Sequence, residues 1–105
     1  PLAGVVVLMD ARRPFTEHDE ALLEWLRPAG HRLLVLLSKC DKLTRQARAR
    51  TLKEAQSRLA QRAIDGEALL FSSLSGEGVV EARWLLEAWL RAAGAEHKRP
   101  PVKGK

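Results

Sequence analysis

The sequence predicts an α/β fold of three layers, helices on both sides of a parallel sheet, and three observations lead there. Leu33 to Leu37 are five consecutive aliphatic residues, short enough for a strand and apolar enough to be covered on both faces. That run breaks abruptly into Ser38, Lys39, Cys40 and Asp41, so polar groups gather at the strand's carboxyl end. Two further apolar runs, Gly4 to Met9 and Ala68 to Phe71, are likewise followed by polar loops and helical patterns. Three strands alternating with three helices, joined by right-handed crossovers, make a three-stranded parallel sheet.

Each element has its own signals. The first strand, Gly4 to Met9, ends on an acid, Asp10, and Ala11 to Phe15 form an irregular connection. Thr16 suits the N-cap of the first helix, with Asp19 three residues on as an approximate capping box. Glu17, Asp19 and Glu20 complement the positive end of that helix, and Leu22, Leu23 and Leu26 supply its buried stripe. Pro28 and Gly30 stop it before the central strand. After the polar tetrad, residues 44 to about 63 form the longest helix, with Leu52, Ala55, Leu59 and Ala63 on one side and Arg50, Lys53, Arg58 and Arg62 off it. Asp65 and Gly66 mark a turn into the third strand. A loop of small polar residues, Ser72 to Gly78, leads to a helix ending near Arg91, whose apolar face is Val79, Ala82, Leu85, Leu86, Trp89 and Leu90, with Trp84 also read as packing. Residues 1–94 form one domain, and residues 95–105 a basic, proline-containing flexible tail.

Composition limits the function classes. A chain of 105 residues is one domain and small for a complete α/β enzyme. No apolar stretch approaches a membrane span and no signal peptide is recognisable, so no membrane partner is expected. One cysteine excludes an internal disulfide and fits a reducing cytoplasm. Eighteen Lys and Arg against 13 Asp and Glu leave a net charge of +5, which suits an anionic partner. Residues 42–62 hold seven basic residues and one acid, Glu54, so Arg50, Lys53, Arg58 and Arg62, with Lys98 and Arg99 of the tail, are candidate contacts for an RNA backbone. A solvated basic face fits the same residues.

In open α/β sheets ligands bind at the carboxyl ends of the strands, where the tetrad lies. A carboxylate only accepts hydrogen bonds, and guanine's N1–H and N2–H are adjacent donors that one carboxylate can meet in a bidentate geometry. A lysine stem beside it can lie along the face of a base. Ser38-Lys39-Cys40-Asp41 thus resembles the guanine-specificity motif of P-loop GTPases, usually Asn or Thr, Lys, any residue, Asp. Ser38 departs from it by keeping a hydroxyl while losing the amide or methyl. A plain turn, with Asp41 capping a helix and Lys39 solvated, also fits these four residues.

Taken together, Leu8 to Pro14, Leu36 to Leu43 and Phe71 to Leu74 occur in order at spacings that resemble the carboxyl-terminal half of an EngB-type GTPase, from about Gly4 to Leu90. These are bacterial Ras-like GTP-binding proteins implicated in large ribosomal subunit assembly and in septation. The resemblance implies a partial Ras-like P-loop GTPase fold that lacks the amino-terminal strands, with GTP or GDP bound in the parent protein. It implies that Ser72, Ser73 and Leu74 stand where a backbone N–H meets the guanine O6, although a serine cap before the last helix fits them too. No Gly-x-x-x-x-Gly-Lys-Ser/Thr and no Asp-x-x-Gly occurs in the chain. The phosphate cradle and the Mg²⁺ site are therefore expected upstream of Pro1, with no catalytic or metal-binding residue in this chain and no hydrolysis by it alone. The first strand would pair on one side with Leu33 to Leu37 and leave its other edge, Val5 to Leu8, open to self-association. Two functions remain distinct: the guanine-recognition half of a GTPase acting on the large ribosomal subunit, or a ribosome- or RNA-binding α/β module without a working nucleotide site. A flavodoxin-like domain of another kind finds no phosphate-binding loop in its support.

Overall fold

The computed structural model describes residues 4–26 and 32–97, with side chains through residue 92. Its elements run β1 (Val5–Asp10), α1 (Glu17–Leu26), β2 (Leu33–Ser38), α2 (Arg45–Gln61), β3 (Gly66–Leu70) and α3 (Val79–His97), with a 3₁₀ turn at Cys40–Lys42. The sheet is wholly parallel in the order β1-β2-β3, with Val5 opposite Leu33 and Leu33 opposite Gly66. The central strand is buried from Leu33 to Leu37, as its unbroken aliphatic run predicts. The fold is α/β, consistent with part of a Ras-like P-loop fold.

The two faces carry separate cores. Val7, Met9, Leu33, Val35, Leu37 and Ala68 meet Leu23 of α1 and Ala55 and Leu59 of α2. On the other face Leu34 and Leu36 meet Ala82 and Trp89 of α3. Strand periodicity dictates this division, because alternate residues of β2 point to opposite faces. Trp89 also lies over the start of β1: a Cβ on Gly4 would stand 2.4 Å from its ring, so only a glycine admits the indole there.

The helix starts follow their caps. Asp19 N–H donates to Thr16 Oγ1 at 3.2 Å, and Thr16 N–H donates to Asp19 Oδ2 at 3.0 Å, a reciprocal capping box. Thr44 caps α2 by accepting from Ala47 N–H at 3.1 Å. Arg58 and Arg62 both reach back to Glu20 of α1, Arg58 at 3.1 Å, and the Arg58 guanidinium lies 5.1 Å from the centre of the Phe15 ring. These contacts tie the two helices of one face together.

Several boundaries differ from the expectation. Residues 62 and 63 make the turn, not Asp65 and Gly66; Gly66 opens β3 in register with Leu33. Ala63 is exposed with φ 55°, past the end of α2, and Ile64 packs on the core in its stead. α3 continues past Arg91 to His97, so the helix takes in residues 95–97, which the sequence places in the tail. Val79, Trp84 and Leu90 are exposed, Trp84 by 71%. A single sheet face cannot cover a stripe that wide on α3, so Ala82, Leu85, Leu86 and Trp89 take the contact. Pro28, Gly30 and residues 98–105 lie outside the described residues.

Candidate guanine site at the carboxyl end of the sheet

Ser38, Lys39, Asp41, Ser72, Ser73 and Leu74 line one cleft of about 590 Å³, together with Leu8, Arg12, Lys42 and Phe71. Three chain segments separated by tens of residues meet there because each follows a neighbouring parallel strand. All six residues expected at a guanine site are thus brought together.

The backbone of the tetrad explains how. Ser38 is the last residue of β2, and its hydroxyl donates to the Met9 carbonyl at 3.1 Å, fastening the ends of β1 and β2. Lys39 then adopts the left-handed conformation, φ 60° and ψ 32°, an uncommon choice for a residue with a Cβ. That reversal passes directly into the 3₁₀ turn, closed by Lys42 N–H to the Lys39 carbonyl at 3.0 Å. Cys40 N–H donates to the Phe71 carbonyl at 3.1 Å, which draws the turn onto the end of β3.

Asp41 is then fixed by the neighbouring loop. The Ser72 hydroxyl, wholly buried, donates to Asp41 Oδ1 at 2.6 Å and accepts from Ser75 N–H at 3.0 Å. This hydrogen bond is the foremost cause holding the Asp41 carboxyl below the usual carboxylate range; burial opposes it, and the carboxylate's own backbone N–H, then Lys42 and Arg48, add to the lowering. Asp41 is therefore an ionised acceptor lining the cleft, with lone pairs beyond the one that Ser72 engages. Ser72, read as a site residue in the sequence, both lines the cleft and holds the Asp41 carboxylate.

The loop after β3 is closed on itself. Gly76 N–H donates to the Ser72 carbonyl at 2.8 Å, and Ser72 N–H to the Glu77 carbonyl at 3.0 Å. Gly78, at φ 83°, passes so near β3 that a Cβ would sit 2.0 Å from the Leu70 carbonyl oxygen. Leu74 is left 80% exposed at the rim of the cleft.

Arg12 was not anticipated. Asp10, at the end of β1, accepts from Arg12 through its backbone N–H at 2.9 Å, its Nε at 3.1 Å and its Nη2 at 2.8 Å. The fork lowers the Asp10 carboxyl to about 2, chiefly through the Arg12 side-chain hydrogen bonds. The Arg12 guanidinium, paired with Asp10, thereby lines the same cleft as Asp41. The only signal in the sequence is an acid at a strand end with an arginine two residues later, too common a pattern to locate a side chain.

Cys40 is wholly buried, and burial, followed by the Glu77 carboxylate beside it, pushes its thiol pKa up. It is a packing residue. Of the expected RNA-contact residues, Arg50 and Lys53 are exposed on α2, whereas Arg58 and Arg62 are engaged with Glu20. Lys98 and Arg99 lie outside the described residues. No group of three or more His, Cys, Asp or Glu able to hold a metal ion occurs among the described residues, and none of their helices is long and apolar enough to cross a membrane.

No family model matches the chain. Curated relatives do: a protein of Burkholderia multivorans named "Probable GTP-binding protein EngB" is 41% identical over 106 residues, covering 96% of this chain and 48% of the relative. Proteins of the same name from Burkholderia cenocepacia and Burkholderia pseudomallei are 41% and 42% identical over the same extent. The similarity is to EngB. The chain spans about half the length of the EngB proteins it matches, which is consistent with a carboxyl-terminal half. The three segments through which the sequence resembles EngB are the three that the fold gathers around the cleft.

Proposed function

We propose that this chain forms the guanine-recognition side of a GTP-binding protein of the EngB kind. The observation that carries it is the Ser72–Asp41 hydrogen bond, 2.6 Å long, inside a cleft that Lys39, Ser73 and Leu74 complete. Asp41 would accept guanine N1–H and N2–H, and its depressed pKa keeps it ionised for this at neutral pH. The Lys39 stem would lie along the base, and a backbone N–H of residues 73–74 would donate to O6. Adenine offers an acceptor at N1 and is refused.

Phosphate binding, Mg²⁺ coordination and GTP hydrolysis are assigned to the half of the relatives that this chain does not span, because the 105 residues carry neither of the motifs those tasks need. Mg²⁺ would then sit with the phosphates, and residues 1–105 alone should show no GTP turnover. The test of base recognition uses a polypeptide of the relatives' full length containing this sequence. Asp41→Asn replaces one acceptor oxygen by an amide donor facing guanine's own donors and should cost about 1.5–3 kcal/mol, roughly tenfold to a hundredfold in GDP affinity. Xanthosine diphosphate, with a carbonyl at that edge, should bind better than to the parent. Unchanged GDP affinity would remove Asp41 from the site.

We further propose the large ribosomal subunit, through its RNA, as the partner, with a role in its assembly, in the cytoplasm, and in cell division by septation. The support is the net charge of +5 and the exposed Arg50 and Lys53 on α2. Arg58 and Arg62, held by Glu20, contribute less than the sequence suggested. Reversing Arg50 and Lys53 to Glu should weaken binding to ribosomal particles and flatten its salt dependence, with GDP affinity unchanged. Particle binding indifferent to salt and to both reversals would remove the RNA contact. Particle binding that survives in a protein with no guanine nucleotide affinity would favour the RNA-binding module.

A further inference from the structure

We infer that Glu77 is a positioning residue for base recognition, the node that locks the two guanine loops together from outside the cleft. The inference rests on the guanine-site reading above. Glu77 lies in the loop between β3 and α3, and neither it nor its two partners lines the cleft. Its Oε1 accepts from Arg48 Nη1 at 2.9 Å, from the first turn of α2, and from the buried Cys40 thiol at 3.4 Å, inside the tetrad. Arg48 also donates through Nε to the Leu43 carbonyl at 3.2 Å, where the 3₁₀ turn passes into α2. One carboxylate oxygen thus joins the loop that carries Ser72, Ser73 and Leu74 to both ends of the segment that carries Asp41.

The direct bonds between the loops leave this joint a task. Ser72 Oγ to Asp41 Oδ1 and Cys40 N–H to the Phe71 carbonyl fix the near side of each loop. Ser73 and Leu74 form an arch closed on Ser72 by Ser75 N–H, Gly76 N–H and the Glu77 carbonyl, so the loop is one body held to the tetrad at its near side. If the Glu77 side chain lets go, this closed loop keeps its near-side anchors and loses the bond that stops it pivoting about Ser72 against Asp41. A bidentate contact to guanine and an N–H aimed at O6 both need the two loops at one fixed separation, and a small misplacement costs disproportionately. The ion pair is partly buried, with Arg48 30% and Glu77 39% exposed, which suits a joint more than a solvated surface pair.

The experiment uses the polypeptide of the relatives' full length. GDP and inosine diphosphate affinities, GDP release rates and melting temperatures are measured for the parent and for Glu77→Ala, Glu77→Gln, Arg48→Ala and the double alanine variant. Inosine lacks the 2-amino group, so the ratio of the two affinities reports how well Asp41 is aimed at both guanine donors. Glu77→Ala should weaken GDP binding about tenfold, mostly through faster release, and lower the GDP preference over inosine diphosphate. Glu77→Gln, which keeps an acceptor for Arg48, should restore most of the preference, and the double variant should be no worse than either single one. A folded Glu77→Ala protein with unchanged release and unchanged preference, in a polypeptide whose Asp41→Asn variant does lose GDP affinity tenfold or more, overturns the positioning role alone. An equal loss for both nucleotides that tracks the fall in melting temperature overturns it too, since that is structure without aim. If Asp41→Asn itself leaves GDP binding intact, the guanine-site reading fails first and the role of Glu77 falls with it.

Discussion

The two faces of β1 share one backbone and nearly one composition, yet they end in different surroundings. Val7 and Met9 are 4% and 2% exposed beneath α1 and α2, while Val6 and Leu8, which alternate with them, are 42% and 62% exposed. The same face is closed one strand further in, where Leu34 and Leu36, opposite Val6 and Leu8 in the register, lie under α3. What differs is helix supply. Two helices share one face; on the other, a single helix packs on β2 and β3, and its Trp89 lies against Gly4, just ahead of β1. A strand apolar on both faces reports that both are suited to burial, without reporting that this chain buries both.

The largest separation between the faces should appear in stability. Leu37→Ala, in the wholly buried part of β2, should cost about 2–5 kcal/mol in urea denaturation, since the surrounding sheet cannot collapse into the space. Leu8→Ala should cost about 0.5 kcal/mol or less, because little area leaves water when the chain folds. Equal costs would mean that the open face of β1 is covered in solution.

Association comes next. Among the described residues β1 pairs only with β2, so its outer edge and its apolar face lie side by side. Residues 1–105 should sediment as a concentration-dependent associating species. Val6→Lys with Leu8→Lys should return it to a monomer, because lysines on an edge strand oppose pairing. A monomeric parent at high concentration would show that the face is tolerated in water.

A smaller effect separates the two ends of β1 by pH. Asp10 has a folded pKa of about 2 against an ordinary 3.8, so the fork with Arg12 stabilises the fold fully above 3.8. That contribution fades as pH falls from 3.8 through about 2. Arg12 is 47% exposed, so the effect should be modest and weaken with salt. Asp10→Asn should flatten the dependence of stability on pH in that window. An unchanged slope would assign the acid sensitivity to other carboxylates, Asp41 with its own lowered pKa among them.

The smallest effect is expected at Trp84. At 71% exposure, Trp84→Ala should change stability by no more than about 0.5 kcal/mol, whereas Trp89→Ala, whose indole packs on Gly4, should cost about 3 kcal/mol or more.

How much was legible follows from the range of each interaction. The capping box at Thr16 and Asp19 is three residues long, so reading it needed only the local sequence. The central strand was equally plain, because five aliphatic residues in a row leave no helical or exposed alternative of that length. The six guanine-site residues were reached through the resemblance and the end-of-strand rule, and the cleft unites them. Arg12 escaped because its position depends on a fork with Asp10 that no periodicity encodes. Glu77 escaped because its partners, Arg48 and Cys40, are 29 and 37 residues away.

By itself the sequence determined the order of strands and helices, the caps, the polar ends of β2 and β3, and the residue types a guanine edge would need. These depend on neighbours in the chain, whose preferences act before any tertiary contact forms. Only the tertiary structure decided that Ser72 serves Asp41, that Arg58 and Arg62 are held by Glu20, that Trp89 packs while Trp84 does not, and that one face of β1 stays open. Each of those outcomes depends on which side chain lies across a sheet or between two helices. Parallel crossovers set that distance in space at a few ångströms while leaving it tens of residues apart in sequence.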